Sequence, residues 1–501
     1  MKIDEFFDLA EKAVSGDASA QYELGKCFYK SIFVNQNYSQ AVFWYAKAAE
    51  QGHPSAQNGL GVCYHLGNGV EQDMEKAVYW YAKAAEQRDD WGVCNLGLCY
   101  LWGDGVEQDY QKAVYYYTQG AEQGHARSQF DLGNCFLEGK GVNQDYEAAR
   151  YWFAKAAEQG YADAQYNLAF CYRNGKGVEQ DYAKVIYWDC KAAEQGHAKA
   201  QHNLGRLYEN GEGVKQDYEK AVYWYTKVAD QGDNESQDKL GEFYYEGIGV
   251  EQDYGKAVYW YTKAAEQGFA NSQYSLGWCY EKGEGVKQDI EKSFNWYSKA
   301  AQQGHMSAQS KLGTYYIRNG SEQDYEKVVY WFTKAAEQGD LISQYSLGWC
   351  YEKGIGVEQN IEKAFNWYSK AAEQGEADAQ CKLGVLYYNG DGVEQNYEKA
   401  VYWYTKAAEQ GVAGAQCKLG VLYNKGNVIE KDYEKAVHWS TLAAEQLEVD
   451  DCSESDKLNL ADCYMVLAEC YAYGRGVKRD REKYNLYSQK AHDIIKKING
   501  K

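Results

Sequence analysis

The sequence predicts an all-α solenoid, in which helix-turn-helix repeats stack in chain order, and two observations predict it. A block of 36 residues with a Leu-Gly pair in its first half recurs along almost the whole chain of 501 residues, and a fixed period of this size is typical of stacked repeat proteins. Each block also contains two stretches whose apolar residues recur at helical spacing, separated by a glycine-containing turn. We therefore expect about thirteen repeats that bury one continuous core between neighbours.

The glycine of the Leu-Gly pair, called position 0 below, gives the register of the repeats. It recurs every 36 residues from Gly25 to Gly420, with one interval of 35 where the turn at 319–323 is a residue short. Alanine takes this position in the fifth copy, at Ala169, and in the thirteenth, at Ala468, which follows an insertion. This continuous register favours one elongated body over several separate domains.

The elements of the first copies follow from this register. Residues 1–16 resemble only the second half of a repeat, which predicts an N-terminal capping helix. The first helix of the first copy carries Ala20, Leu24, Cys27 and Phe28 at helical spacing. The apolar stripe of the second helix of that copy consists of Ala41, Trp44, Tyr45, Ala48 and Ala49.

A turn of sequence G-x-G-V-E-Q-D joins the two helices of each repeat. Glycines permit a tight turn, and the aspartate that ends the motif, such as Asp73, stands where a helix N-cap is expected. A glycine such as Gly124 follows the second helix, as a helix C-cap should. We therefore expect twelve repeats of this kind over residues 17–447.

Residues 448–501 depart most from the repeat. They begin with an acidic insertion, Leu447 to Asp456, continue with a long helix around residues 461–473, and end with a basic helix around residues 482–497. Stacked repeats need atypical terminal units that shield the last apolar face. We interpret this segment as a divergent last repeat with a basic C-terminal capping helix.

The order A-x-x-x-L-G-x-x-Y-x-x-G-x-G-V-x-x-D-x-x-K-A-x-x-W-Y-x-K-A-A-x-x-G resembles the Sel1-like repeat, a relative of the tetratricopeptide repeat. The resemblance covers the chain from about residue 17 to the C-terminus. It implies a right-handed superhelix of helix pairs that serves as an adaptor, scaffold or regulatory subunit. One cysteine-rich, secreted branch of the family is described as having penicillin-binding or β-lactamase activity, and it pairs its cysteines within each repeat.

The cysteines of this chain follow a different pattern. Eight of the fourteen lie two residues after position 0, one per repeat, where small apolar packing explains them and a disulfide between neighbouring repeats would span too far. Unpaired thiols favour a reducing compartment, and no signal peptide or transmembrane segment is recognisable. We therefore predict a soluble cytoplasmic protein, with secretion that needs no N-terminal signal left open.

Composition and motifs exclude several other classes of function. The net charge of −20 and the pI near 5.0 disfavour nucleic-acid binding. The glycine pair of each turn is followed by Val-Glu-Gln-Asp, which does not fit a phosphate loop, and no C-x-x-C, HExxH or nucleophile-elbow motif occurs. We predict no catalytic residue, no metal ligand and no cofactor, and the sequence does not indicate an oligomeric state.

The copies differ most at positions −3, +1 and +4 of the first helix, which share one face of that helix. By analogy with tetratricopeptide units, this face is expected to line a concave groove. Its aromatic, His and Arg members include residue types enriched at binding hot spots. The candidate partner-binding residues are Phe130, Tyr166, Phe170, His202, Arg206, Tyr274, Trp278, Tyr345 and Trp349.

We expect a non-catalytic scaffold or adaptor that binds a peptide or protein segment on this face. Two alternatives stay open: a β-lactamase-like hydrolase of the cysteine-rich branch, and a host-directed effector or regulatory subunit that uses the same surface. Variation at positions −3 and +1 is also compatible with drift at positions that have no packing role. Segments 274–283 and 345–354 are identical in sequence, which recent copying explains without selection for a ligand.

Overall fold

The computed structural model describes residues 3–448 and 453–499. Over these ranges the chain forms 27 α-helices and no β-strand, which confirms the predicted all-α solenoid of helix-turn-helix repeats. The chain divides into two compact units, unit 1 from Met1 to Asp253 and unit 2 from Tyr254 to Lys501. No helix within the described ranges is both long and apolar enough to cross a membrane.

Unit 1 contains fourteen helices. They are α1 Ile3–Val14, α2 Ala18–Lys30, α3 Tyr38–Glu50, α4 Pro54–Leu66, α5 Met74–Glu86, α6 Asp90–Trp102, α7 Tyr110–Glu122, α8 Ala126–Glu138, α9 Tyr146–Glu158, α10 Ala162–Asn174, α11 Tyr182–Glu194, α12 Ala198–Asn210, α13 Tyr218–Ala229 and α14 Asn234–Glu246.

Unit 2 contains thirteen helices and one 3₁₀ turn, Glu322–Asp324. The helices are α15 Tyr254–Glu266, α16 Ala270–Lys282, α17 Ile290–Gln302, α18 Met306–Asn319, α19 Tyr325–Glu337, α20 Leu341–Lys353, α21 Ile361–Glu373, α22 Ala377–Asn389, α23 Tyr397–Glu409, α24 Ala413–Lys425, α25 Tyr433–Leu447, α26 Glu454–Tyr473 and α27 Arg481–Asn499.

Even-numbered helices are the first helices of the repeats, and odd-numbered helices from α3 onward are the second helices. Within each unit, a first helix packs against the second helix of its own repeat and against that of the preceding repeat. Helix α1 packs on α2 in the same way, through Phe6, Leu9 and Ala13. Part of the predicted acidic insertion, residues 449–452, lies outside the described residues.

Position 0 is glycine because an aromatic ring of the second helix lies directly against it. A Cβ atom at Gly348 would come within 2.7 Å of the Tyr368 ring, and one at Gly133 would come as close to the Phe153 ring. Tyr368 and Phe153 are fully buried, so this ring is the largest core side chain of its repeat. The ring and the glycine therefore depend on each other.

The fifth repeat supports this dependence, because both the ring and the glycine are replaced there. Its second helix carries Asp189 where most other repeats carry the ring, and position 0 is then Ala169. The twelfth repeat carries Ser440 at the ring position and keeps Gly420 at position 0. The Asp189 carboxylate is fully buried and lies 2.7 Å from the Arg173 guanidinium. Burial raises the pKa of Asp189 to about 7, although the positive charge of Arg173 lowers it. Without a ring to accommodate, a methyl group fits at position 0.

The core stripe of the second helix differs in detail from the predicted one. Ala41, Tyr45, Ala48 and Ala49 are buried as expected, but Trp44 is only half-buried. Helical periodicity could not separate the two neighbouring aromatic residues, because either could face the core. The tyrosine ring occupies the niche above the glycine, which places the tryptophan at the edge of the core.

A ladder of buried glutamines joins the helices, and sequence periodicity gave no sign of it. The Gln165 amide donates to the Ala157 carbonyl of the preceding repeat at 3.1 Å and accepts a hydrogen bond from Gln195 of its own repeat at 2.8 Å. The same pair of bonds recurs around Gln57 and Gln380, among others. Each ladder residue thus satisfies a buried amide and fixes three helices at once.

The turns confirm the predicted N-caps and add a contact between repeats. The Asp73 carboxylate accepts a hydrogen bond from the Lys76 backbone N–H at 2.9 Å, as an N-cap does. The second glycine of a turn lies against the preceding repeat: a Cβ atom at Gly105 would stand 2.3 Å from the Met74 carbonyl oxygen. Each turn is therefore also part of the interface between repeats.

Candidate partner-binding surface

The nine candidate residues all lie on first helices, and we refer to them as the first-helix stripe. Arg206 is exposed and the other eight side chains are half-buried. In unit 1 the stripe residues are Phe130 on α8, Tyr166 and Phe170 on α10, and His202 and Arg206 on α12. In unit 2 they are Tyr274 and Trp278 on α16, and Tyr345 and Trp349 on α20. Each unit therefore carries its own part of the stripe.

The rings at position −3 pack against the start of the next repeat. Tyr166 stacks on His197 with ring centroids 4.8 Å apart, and Tyr274 stacks on His305 at 4.7 Å. Phe130 makes a similar contact with Tyr161, at 5.2 Å. Position −3 consequently has a packing role between repeats, which the sequence comparison of the copies did not reveal.

The histidines in these stacks are helix N-caps. The Ala308 backbone N–H donates to Nδ1 of His305 at 3.3 Å, and this nitrogen can accept only while it is unprotonated. Burial lowers the pKa of His305 from its ordinary value of 6.5. The folded chain therefore binds protons at this site less readily than the unfolded chain does.

A pH dependence of stability follows from this shift. The contribution of His305 to folding is fully present above pH 6.5 and is lost as the pH falls through the lowered pKa of the folded state. In a His305→Asn variant, which keeps an N-cap but cannot titrate, we expect a smaller loss of thermal stability between pH 7.5 and pH 5.5. Calorimetry at the two pH values measures the difference, and equal losses in both proteins would contradict the assignment.

The residues at position +1 have varied environments: Trp349 packs against the buried core of neighbouring repeats, whereas other rings lie beneath lysine ammonium groups. Trp278 lies beneath two ammonium groups, those of Lys282 at 4.8 Å and Lys311 at 4.6 Å from the ring centroid. In unit 1, the Lys176 ammonium lies 5.2 Å from the Phe170 ring centroid. Lysine ammonium groups therefore lie over these aromatic faces, and one of them, Lys311, is also held by an ion pair with Glu281.

A cavity of about 510 Å³ lies on the first-helix side of unit 2, where Tyr274 forms part of its wall. A hydrogen-bonded network crosses it: the Glu281 carboxylate accepts from the Tyr297 hydroxyl at 2.6 Å and from Lys311 Nζ at 3.0 Å. Burial would raise the pKa of Glu281, but the hydrogen bonds from Tyr297 and Lys311 outweigh it and hold the pKa below its ordinary value. The volume falls in the range of ligand pockets.

The Tyr-Glu-Lys network of the cavity recurs elsewhere in the chain. In repeat ten, Glu352 accepts from the Tyr368 hydroxyl at 2.8 Å and from Lys382 Nζ at 3.0 Å. The lysine always belongs to the repeat after the glutamate, so the network links neighbouring repeats. Its recurrence at equivalent positions of different repeats indicates a structural role for these charges.

A polar cluster surrounds His202 in unit 1. Its Nδ1 lies 3.1 Å from the Ser236 hydroxyl and 3.7 Å from the Asp233 carboxylate, and its ring packs edge-on against Tyr225. Asp233 and Ser236 belong to the start of α14, the next first helix. His202 therefore links two repeats and presents one edge of its ring at the surface.

Among the described residues, few features favour a catalytic site. Burial raises the pKa of the Cys63, Cys99 and Cys279 thiols to about 12, which disfavours a thiolate nucleophile. The buried carboxylate of Asp189 has no exposed surface through which to meet a substrate. Within residues 3–448 and 453–499, no three His, Cys, Asp or Glu side chains are grouped to hold a metal ion.

A second aromatic surface was missed by the sequence interpretation, which assigned the abundant aromatic residues to the core. One tyrosine on the second helix of most repeats has half of its surface exposed, between 48% and 58%. Seven of these eight tyrosines stand next to the repeat tryptophan and Tyr115 stands next to Tyr116, so the pattern gave no separate signal. These tyrosines are Tyr79, Tyr115, Tyr151, Tyr187, Tyr223, Tyr259, Tyr330 and Tyr402.

Comparison with known proteins places the repeats in a family. A model described as the Sel1 repeat matches the chain thirteen times, at residues 18–53, 54–89, 92–125, 126–161, 162–197, 198–233, 234–269, 270–305, 307–340, 341–376, 377–412, 413–446 and 461–483. No curated protein matches the chain.

Solved structures similar to the chain are also found. The chain is 35% identical to c5321, described as a protective antigen present in uropathogenic Escherichia coli strains displaying an SLR fold, with a TM-score of 0.71 and 97% of each chain covered. It is 33% identical to a Sel1 repeat protein from Oxalobacter formigenes, with a TM-score of 0.46, over 61% of this chain and 88% of that one. The immunity protein Pa5087 from Pseudomonas aeruginosa is 23% identical, with a TM-score of 0.32, over 42% of this chain and 81% of that one.

Proposed function

Because the chain belongs to the Sel1 repeat family, whose fold is commonly a protein-interaction scaffold, we propose that it is a non-catalytic scaffold that binds a protein segment through its first-helix stripe. The stripe supports this proposal because its side chains differ between most of the repeats that carry it, with repeats eight and ten, which share the same Tyr and Trp, as the exception. A surface that recognises one particular partner needs different residues in different repeats, whereas packing between repeats is satisfied by the same residue in every copy.

The position +1 residues carry the proposal. Arg206 is exposed, and Trp278 is half-buried with the ammonium groups of Lys282 and Lys311 over its ring. Large amphipathic side chains of this kind supply most of the binding free energy at protein interfaces. The half-buried rings at position −3 lie on the same helix face as the position +1 residues. Because these rings are fixed between repeats, they hold that face in place for binding.

We also propose a reducing, cytoplasmic setting. All thirteen cysteines within the described ranges are unpaired thiols, and eleven of them are buried. Disulfides form and persist in oxidising compartments, so a chain that leaves buried thiols unpaired suits the cytoplasm. The hydrolase alternative has no described nucleophile and base in its favour, whereas the effector or regulatory-subunit alternative would use the same surface and differ only in partner.

Affinity capture tests the binding proposal. The intact protein and an Arg206→Ala, Trp278→Ala, Trp349→Ala variant are used to capture partners from a lysate of cells that produce the protein. We expect a partner to be retained by the wild type and weakened at least about tenfold in the variant, since truncating a hot-spot residue costs roughly 2 kcal/mol or more. Position −3 is left intact because its rings also hold the repeats together.

A matched control comes from the second helices. A Tyr187→Ala, Tyr223→Ala, Tyr330→Ala variant removes the same number of side chains from the exposed tyrosine surface, and circular dichroism checks that both variants are folded. Retention of the partner by this control, together with its loss from the first variant, supports the proposal. Loss from the control alone would contradict it and assign binding to the second helices.

A further inference from the structure

The start of each second helix is normally covered by the turn of the following repeat. A Cβ atom at Gly285 would stand 2.2 Å from the Tyr254 carbonyl oxygen, and one at Gly356 would stand 2.1 Å from that of Tyr325. Tyr254 and Tyr325 are the first residues of α15 and α19. The second glycine of the turn thus lies directly on the first turn of the preceding second helix.

The turn of repeat nine does not cover the second helix of repeat eight, α17, in this way. This turn is one residue short, Ser321 stands where a second glycine would be, and Gly320 has extended backbone, with φ −80° and ψ 156°, in place of the usual left-handed one. Ile290, the first residue of α17, is 46% exposed as a result. The equivalent residue of α21, Ile361, lies against Gly392 of the following turn and is half-buried, so it is less exposed than Ile290.

The cavity of about 510 Å³ described above lies at this uncovered place. Its apolar wall includes Ile290, Phe294, Tyr315 and the 64% exposed Ile342. Tyr315 replaces the small buried residue that most repeats carry at position +2, and its ring lies 4.5 Å from that of Phe294. Two departures from the repeat, the short turn and the larger side chain, therefore shape the same pocket.

The charged groups that line the pocket are not equivalent. Lys311 and Glu281 are paired with each other at 3.0 Å, and the Asp340 carboxylate accepts from the Ser343 backbone N–H and the Ser310 hydroxyl. Arg318 is exposed and makes no ion pair with any residue that the structure describes. The pocket thus joins an apolar wall to one uncompensated guanidinium.

We propose that this pocket is an anchor site for a partner segment that places an aliphatic or aromatic side chain against Ile290 and Tyr315 and a neighbouring carboxylate on Arg318. The inference rests on the proposed scaffold function and states the chemistry that one part of the partner must have. An exposed guanidinium pairs favourably with a carboxylate, and it does so in a bidentate geometry that also fixes orientation.

Peptide selection tests the inference. The full chain is used to select from two phage-displayed libraries of random twelve-residue peptides, one fused at both ends and one ending in a free carboxylate. We expect enrichment of an apolar residue adjacent to Asp or Glu in the first library, or adjacent to the terminal carboxylate in the second. Affinities of the selected peptides, made synthetically with free or amidated C-termini, are measured by fluorescence anisotropy.

Variants assign the selected peptides to the pocket. Arg318→Glu is expected to weaken their binding at least about tenfold, since a lost charge-assisted hydrogen bond and a new repulsion act together. Lys353→Glu is the matched control, because Lys353 holds the same position in repeat ten, where the turn is complete. The affinity of this variant for the selected peptides should stay within about twofold of that of the wild type.

The outcomes separate this inference from the proposed function. Peptides that lose affinity in Trp278→Ala but not in Arg318→Glu would overturn the pocket while leaving the first-helix stripe as a binding surface. Peptides without a carboxylate preference would overturn it as well. If the wild type enriches no peptide, both the pocket and peptide binding by the stripe are contradicted.

Discussion

Replacing Tyr368 with alanine is expected to lower the free energy of unfolding by about 3 to 5 kcal/mol. The ring is fully buried against Gly348, and its hydroxyl donates to Glu352 at 2.8 Å. Removing it opens a cavity beside a glycine that cannot fill the space, and it leaves a carboxylate without one of its donors. Guanidinium unfolding followed by circular dichroism measures the change.

Tyr402→Ala provides the control for this prediction. Tyr402 is also a second-helix tyrosine of unit 2, in the next repeat along, but 54% of its surface is exposed. We expect its replacement to change stability by less than about 0.5 kcal/mol, as exposed substitutions usually do. Similar losses in the two variants would show that the ring above the glycine is not the central core residue of the repeat.

Replacing Gly177 with alanine is expected to destabilise the chain by about 2 to 5 kcal/mol. The residue has left-handed backbone, with φ +65°, which costs an alanine about 1 to 2 kcal/mol. A Cβ atom there would also stand 2.1 Å from the Tyr146 carbonyl oxygen of the preceding repeat, and relieving such overpacking adds about 1 to 3 kcal/mol.

Gly160→Ala separates these two contributions. Gly160 is also left-handed, with φ +89°, but no atom lies within 4 Å of the position its Cβ would take. Its replacement should therefore cost only the backbone part, about 1 to 2 kcal/mol. Thermal unfolding of both variants under one set of conditions gives the difference, and equal losses would mean that the turn does not press on the preceding repeat.

The period of the sequence was sufficient to predict the helices, their order and their caps. Position 0 recurs so regularly that the register of all copies could be assigned, and Asp73 was recognised as an N-cap from its place after a glycine turn and before an apolar stripe. These features are local, because they depend on residues within one repeat. Local patterns are what a single sequence records most directly.

Packing between neighbouring repeats was predicted, but the particular residues that join them were not. The glutamine ladder around Gln165 and the contact of the second turn glycine with the preceding helix join residues of different repeats, so no spacing within a repeat reveals them. One clue was present. Ala169 and Asp189 change together in the fifth copy, and this paired exception could have indicated that position 0 faces the core ring.

The first-helix stripe was predicted as a set of variable positions, and its two halves differ in structure. The rings at position −3, such as Tyr274, stack on the N-cap of the next repeat, whereas Trp278 at position +1 lies beneath the ammonium groups of Lys282 and Lys311. Sequence could not separate the two positions, because both lie on one helix face and both accept aromatic residues. The cavity beside Ile290 depends on a missing turn residue, whose effect appears only once the repeats are stacked.

The most direct test of the scaffold proposal is amide hydrogen exchange of the intact protein, alone and in complex with the partner that it captures. The proposal predicts that the partner slows exchange in the first helices that carry the stripe, which are α8, α10 and α12 of unit 1 and α16 and α20 of unit 2. Slowed exchange confined to the second helices, beneath the exposed tyrosines such as Tyr187 and Tyr223, would contradict it.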